Sequence, residues 1–165
     1  MFNSRGFTLI EAVVAMTVFV IGTVGLVQLS TLAKATSEEG QQTVKVSNYL
    51  QEGIEATRII RDANWSNMTP GTYRLNAQAG LSPPWQLISG GSETIDGKYQ
   101  RQVIIATARR EDTDNSGTLT AGDRLVSSGG AFDDPDARRV TATITWSAGK
   151  RTVSRSIYTY FTNWQ

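Results

Sequence analysis

Between Glu111 and Leu125 the chain reads Asp112-x-Asp114-x-Ser116-Gly117-x-Leu119-x-x-x-Asp123. Oxygen-bearing side chains stand at the first, third and fifth of twelve positions, with glycine at the sixth, an apolar residue at the eighth and a carboxylate at the twelfth. That is the chemistry of a hard cation, which takes oxygen ligands. Asp112, Asp114 and Ser116 can converge on one ion only if the backbone turns sharply at Gly117. The Thr118 carbonyl then becomes a ligand, Thr120 contributes directly or through a water, and Asp123 closes the shell from the far side. Ca2+ suits such a loop better than magnesium, which prefers a compact octahedral shell with retained waters. The competing explanation is a solvated turn between strands, because Asp, Ser and Gly form turns for purely local reasons. Asp133-Asp134-Pro135-Asp136 adds carboxylates nearby, but Pro135 and the following Arg138 and Arg139 read as a self-neutralising charged turn. These aspartates therefore stay outside the expected ligand set.

Composition narrows the remaining chemistry. The 165 residues include no cysteine and no histidine, which excludes Ser-His-Asp and Cys-His triads, conventional zinc sites, CxxC redox chemistry and disulfide stapling. Sixteen basic residues against fifteen acidic ones give a net charge of +1, with no basic stripe for phosphate neutralisation, so no specific nucleic-acid binding is expected. Glu111, Asp133 and Asp134 form no pair that spacing places at catalytic separation, so the protein is not expected to be an enzyme.

The charges are distributed unevenly. All but one of the basic and all but one of the acidic residues lie at or after Lys34, while Ala12 to Ala33 are 22 uncharged, mainly apolar residues. As a helix this stretch is about 33 Å long, enough to cross a bilayer core. Arg5 on the near side favours an N-terminus inside and the remainder exported. A secretory signal would have a cleavage site at Ala33-Lys34-Ala35 before Thr36, but the apolar run exceeds the usual ~7 to 15 residues and carries Glu11 near its start. An ionisable group in a membrane helix costs on the order of 2.5 to 3.5 kcal/mol, so Glu11 calls for a partner, unless it snorkels at the interface.

The string Arg5-Gly6-Phe7-Thr8-Leu9-Ile10-Glu11 resembles the cleavage and methylation motif of type IV pilins and pseudopilins: a short basic leader ending in Gly, then Phe, with Glu fifth after the cut. The resemblance implies that a prepilin peptidase cuts between Gly6 and Phe7 and methylates the Phe7 amine. It also implies that Glu11 meets the terminal amine of a neighbouring subunit during assembly, and that the partners are other pilin subunits, the peptidase and, before assembly, the cytoplasmic membrane. Such a protein is a single-pass membrane precursor and ends in a surface pilus. Many major pilins bend their helix at a proline; here the first proline is Pro70, and the apolar run instead holds Gly22 and Gly25, either of which permits local unwinding or close helix packing. Leu50 to Trp65 looks like the helix end of minor pilins of the PilV-like group. The twelve residues from Asp112 resemble the calcium loop of EF-hands and dockerin-like modules, with Asp123 in place of the usual Glu, which shortens the reach and weakens binding. No helix signal precedes Asp112, so the loop is expected as an insertion on a sheet.

The elements that must position these groups follow from periodicity. Val46, Leu50, Gly53, Thr57 and Ile60 recur at helical spacing, giving an amphipathic half of one long helix. Thr72 to Ala77, Pro84 to Ser89, Lys98 to Ala108, Arg139 to Trp146 and Arg151 to Phe161 alternate or carry β-branched and aromatic residues, with a hairpin turn at Ser147-Ala148-Gly149-Lys150. Val140, Ala142, Ile144 and Trp146 share one face. The expected fold is α+β, a type IV pilin fold with one long N-terminal helix packed on a C-terminal antiparallel sheet of four or five strands. The organisation is a leader (1–6), a membrane and assembly half of the helix (7–33), an amphipathic half (34–62) and a β-rich head (63–165) carrying the loop 112–123. A minor pilin or pilin-like subunit is the leading functional reading, serving adhesion, motility or DNA uptake. A type II secretion pseudopilin and a membrane-anchored receptor or adhesin are the alternatives.

Overall fold

The computed structural model describes residues 8–163. Helix α1 spans Leu9–Ala63 without interruption, passing through Gly22, Gly25 and Gly40. It is followed by a short 3-10 helix, Trp65–Asn67, whose N-cap Asn64 accepts a hydrogen bond from the Ser66 N–H. Seven strands complete the order: β1 (Gly71–Ala77), β2 (Trp85–Ser89), β3 (Glu93–Ile95), β4 (Tyr99–Glu111), β5 (Arg124–Val126), β6 (Phe132–Ala148) and β7 (Arg151–Thr162). The chain thus has the expected α+β layout, a long N-terminal helix followed by an antiparallel sheet. It divides into two compact units, one up to Val44 and one from Lys45 onward.

In the first unit α1 is apolar and exposed. Leu9 is 85% exposed, Phe19 74% and Leu26 69%. Two hydroxyls within the apolar stretch are satisfied locally: Thr17 and Thr23 donate to the carbonyls of Val13 and Phe19, each at 2.8 Å. Such back-bonding removes the hydroxyl donor that would be costly in hydrocarbon.

In the second unit the sheet order is β2-β1-β4-β6-β7, with β3 and β5 pairing with opposite ends of β4. Every pairing is antiparallel. The period-2 face expected on β6 is the core face: Val140, Ala142 and Ile144 are fully buried, next to Val103 and Ile105 of β4. The expected helix face, Val46, Leu50, Gly53, Thr57 and Ile60, is buried in the same core. Gly53 has a specific task. A Cβ there would lie 3.3 Å from Arg101 Cδ and 3.4 Å from Ala142 Cβ, so glycine lets the helix approach the sheet closely. The Thr57 hydroxyl, wholly buried, donates to the Gly53 carbonyl at 2.8 Å.

Arg101, on the core face of β4, is 1% exposed. Its Nε and Nη2 both donate to Glu93 Oε2 of β3, at 2.9 and 2.6 Å, and its Nη1 donates to Glu52 Oε2 and to the Tyr49 carbonyl of α1, at 2.9 and 3.0 Å. The Tyr49 hydroxyl donates to Asp96 at 2.5 Å in the β3–β4 turn, and this bond is the main reason its pKa is pushed up to about 12.

Three expectations need correction. β3 and β5 were not anticipated, and seven strands replace the expected four or five; both are three residues long, too short for alternation to register. β6 begins at Phe132, so Asp133, Asp134 and Asp136 lie in a strand and not in a charged turn. A register shift relieves Pro135: Thr107 pairs with Arg138 and Ala108 with Asp134, leaving 135–137 unpaired with β4. Asp133 and Asp134 are neutralised by Arg109 and Arg110, at 3.3 and 2.7 Å. Arg138 instead binds the Met68, Pro135 and Ala137 carbonyls, and Arg139 the Ser127 carbonyl.

The Arg101 cluster generates a test. Glu93→Ala removes two of its bonds and should lower stability by about 3 kcal/mol, as for a broken buried pair. Glu52→Ala should cost less than about 1 kcal/mol, because that carboxylate is 46% exposed. Urea unfolding of the full chain in detergent distinguishes the two; equal effects would contradict the assignment of Glu93 as the main partner.

Candidate functional site

The acidic loop 112–123 joins β4 to β5, and its ends are clamped. Glu111 and Arg124 are register partners, and their side chains form an ion pair at 2.8 Å. Inside this clamp the turn residues do what their types dictate. Gly117 takes a left-handed φ of 71° and Asn115 one of 53°. The Ser116 N–H is shared by Asp112 Oδ1 at 3.1 Å and Asp114 Oδ1 at 3.0 Å, and the Gly117 N–H donates to Asp112 Oδ2 at 3.0 Å. Asp123 closes the loop from its far end: Oδ2 accepts the Thr120 N–H at 2.7 Å and Oδ1 accepts the Thr113 N–H at 3.1 Å.

Of the six expected ligands, three carboxylates converge: one oxygen each from Asp112, Asp114 and Asp123 lies within 4.8 Å of the others. Asp123 is 2% exposed, Asp112 half-buried and Asp114 exposed. The Thr120 hydroxyl reaches Asp114 Oδ2 at 3.3 Å. Ser116 Oγ donates to the Thr118 carbonyl at 2.9 Å, so these two oxygens are bonded to each other. Among the described residues, no Lys or Arg forms an ion pair with the three carboxylates. The donor set is therefore all oxygen with uncompensated negative charge, a fit to a hard divalent cation in donor type and number of carboxylates. Hydrogen bonds alone hold two of the carboxyls below the usual range: for Asp114 chiefly those from Ser116, and for Asp123 chiefly that from the Thr120 N–H, against its burial.

Asp133, Asp134 and Asp136 are not members of this cluster. What periodicity missed is the brace next to it. Arg110 donates through Nε to the buried Asp134 at 2.7 Å and through Nη1 to the Asp123 carbonyl at 2.6 Å, so the β4–β6 pair grips the end of the loop. Arg110 and Asp134 are 24 residues apart, and only the β4–β6 register brings them together.

At the other end of the chain, Gly6 and Phe7, the expected cleavage and methylation residues, lie outside the described residues. Glu11 stands in the first turn of α1, where a carboxylate complements the helix dipole. The Thr8 carbonyl accepts the Glu11 and Ala12 N–H groups at 3.1 and 3.2 Å, so the helix begins just before the carboxylate. The apolar, unburied stretch that follows is long enough to cross a membrane. Residues 1–27 match the family model of the prokaryotic N-terminal methylation motif. The chain carries a prepilin-type motif. That match, with the apolar helix behind it, supports a type IV pilin-like or pseudopilin protein that prepilin peptidase processes and the inner membrane anchors as a precursor. No curated protein and no solved structure matches the chain.

The loop geometry predicts an acid limb. A carboxyl with a lowered folded pKa contributes stability above its unfolded value, ordinarily about 3.9, and loses it as the pH falls through the folded one. Hydrogen-exchange protection at the Thr113 and Thr120 amides, corrected for intrinsic rates, should hold from pH 7 to 5 and fall below about pH 4. Asp123→Asn has one acceptor oxygen where two are used, so it should be poorly protected at every pH. Protection in the wild type that does not change down to pH 2 would contradict the role given to Asp123.

Proposed function

We propose that this protein is a minor pilin or pilin-like structural subunit of a type IV pilus. Prepilin peptidase removes residues 1–6 after Gly6 and methylates the Phe7 amine; the subunit then leaves the membrane through its N-terminal helix and carries the β-rich unit into a surface filament. The observation that carries this reading is the methylation-motif match continuous with an uninterrupted helix whose apolar side chains up to Leu32 are uncovered. Apolar surface of that extent must be covered by lipid or by like helices from neighbouring subunits. Glu11 sets the register: a carboxylate in the helix bundle and the Phe7 amine of the next subunit are each costly alone and compensate when paired. The resemblance of Leu50 to Trp65 to minor pilins favours the pilus over a secretion pseudopilus. Catalysis has no place in this reading.

The loop 112–123 is the proposed Ca2+ site, with Asp112, Asp114, Ser116, Thr118, Thr120 and Asp123 as ligands. The three converging carboxylates support it. The Ser116 hydroxyl and the Thr118 carbonyl, bonded to each other at 2.9 Å, would both serve as ligands to a bound ion. In a chain without cysteine, a cation across this loop adds a fastener that disulfides cannot provide.

Two measurements follow. Glu11→Ala should leave membrane insertion intact and reduce the subunit in sheared filaments at least tenfold; equal incorporation of mutant and wild type would contradict the pairing. In a thermal melt of the full chain in detergent, Ca2+ at a hundred times its dissociation constant should add about 2.7 kcal/mol relative to chelator. Asp112→Ala combined with Asp114→Ala should abolish that shift. An unchanged wild-type melting temperature across millimolar Ca2+ would leave the loop as a solvated turn.

A further inference from the structure

The second unit contains a groove unrelated to the acidic loop. It has a volume of about 450 Å³ and opens beside the edge strand β2. Trp85, Tyr73, Asn67, Gln78 and Gln86 are its chemically informative walls. They come from the 3-10 helix, from β1 and the segment after it, and from β2. The size is in the range of small-ligand sites, about 300 to 1,000 Å³.

What the lining lacks is as informative as what it contains. The protein has 16 basic and 15 acidic residues, yet no Asp, Glu, Lys or Arg lines this groove. Phosphorylated, acidic or basic ligands would find no counter-charge. A purely apolar ligand fits poorly as well, because carboxamides and hydroxyls make up much of the wall and would lose water without replacement.

The polar groups still have capacity to bond. The Asn67 carboxamide makes no hydrogen bond among the described residues. Gln78 Nε2 donates to Gln86 Oε1 at 2.6 Å, which leaves Gln78 Oε1 as an acceptor and Gln86 Nε2 as a donor. The Tyr73 hydroxyl spends its proton on the Thr69 carbonyl at 2.9 Å and keeps lone pairs for a further donor. Open donors and acceptors thus line the same groove as two aromatic rings. The Trp85 indole is held on its strand with the Arg101 guanidinium 5.8 Å from its ring centroid, so it is preorganised by the same cation that ties helix to sheet.

We propose that this groove binds a neutral carbohydrate. A sugar ring combines an apolar C–H face, which packs on an aromatic ring, with vicinal hydroxyls that each donate and accept and so match carboxamide pairs. No charge is required of either partner. The inference goes beyond assembly and stands independently of it, because the groove lies wholly in the β-rich unit.

The test is isothermal titration of the full chain in a non-glycosidic detergent, since sugar-headed detergents would compete. The probes are chitotetraose, cellotetraose, maltotetraose and mannotetraose, with tetragalacturonate as the acidic control. At least one neutral probe should bind saturably, and Trp85→Ala should weaken it more than tenfold. Because Trp85 also packs against the core, the second variant is Asn67→Ala with Gln86→Ala, at side chains with open bonding capacity. It should retain the wild-type melt and weaken binding about tenfold. No heat from any neutral probe at millimolar concentration, unchanged affinity in the folded double variant, or preference for tetragalacturonate would each overturn the assignment.

Discussion

A single buried cation organises the β-rich unit. Taking the Arg101 guanidinium out of water costs several kcal/mol, and the site is tolerable only because each face of the fork is answered: Glu93 of β3 on one side, Glu52 and the Tyr49 carbonyl of α1 on the other. Geometry of this kind adds little net stability over an apolar filling, but it dictates register. The helix can sit at one place along the sheet, with Gly53 facing Arg101 and Ala142, and β3 must pair where Glu93 reaches the fork. Trp85, and with it the wall of the groove beside β2, is set by the same residue.

The far end of β4 repeats the idea with a different sign balance. There the carboxylates outnumber their cations: Arg110 answers Asp134 and Arg109 answers Asp133, while Asp112, Asp114 and Asp123 face only N–H groups and hydroxyls. Hydrogen bonds from Ser116 and from the Thr120 N–H hold the Asp114 and Asp123 carboxyls below the usual range, and the three carboxylates stand in a fixed arrangement. Arg110 connects the two systems by gripping the Asp123 carbonyl, which makes the ladder between β4 and β6 the foundation of the loop.

How much of this could be read in the sequence depends on the range of the interaction. The buried stripe of α1 from Val46 to Ile60 and the alternation from Val140 to Ile144 are local patterns, and both were visible in the residues. So was the convergence of the loop carboxylates, because Gly117 and the short spacing force the turn. Pro135 hid the first half of β6, since a proline ordinarily ends a strand and only the bulge opposite Thr107 and Ala108 accommodates it. The pairing of Asp134 with Arg110 depends on a register between distant strands, which no local pattern encodes. Arg101 did leave a signal: it occupies the core-facing phase of Tyr99-x-Arg101-x-Val103-x-Ile105, and a cation in that phase must be matched by carboxylates from elsewhere. The groove left none, because its walls come from three separate segments.

The residues that matter most for the biological reading are the ones before the helix begins. Among the described residues the apolar side chains from Leu9 through Leu32 are uncovered, and the lone carboxylate of that stretch, Glu11, stands in the first turn of the helix. A free amine at Phe7 would bring a positive charge within reach of such a carboxylate on a neighbouring copy; an uncut leader would not. The most direct measurement is therefore mass spectrometry of the N-terminal peptide of the protein purified from cells with prepilin peptidase. The predicted result is a chain beginning at N-methylated Phe7. A chain beginning at Met1 or at Thr36 would contradict the processing on which assembly rests.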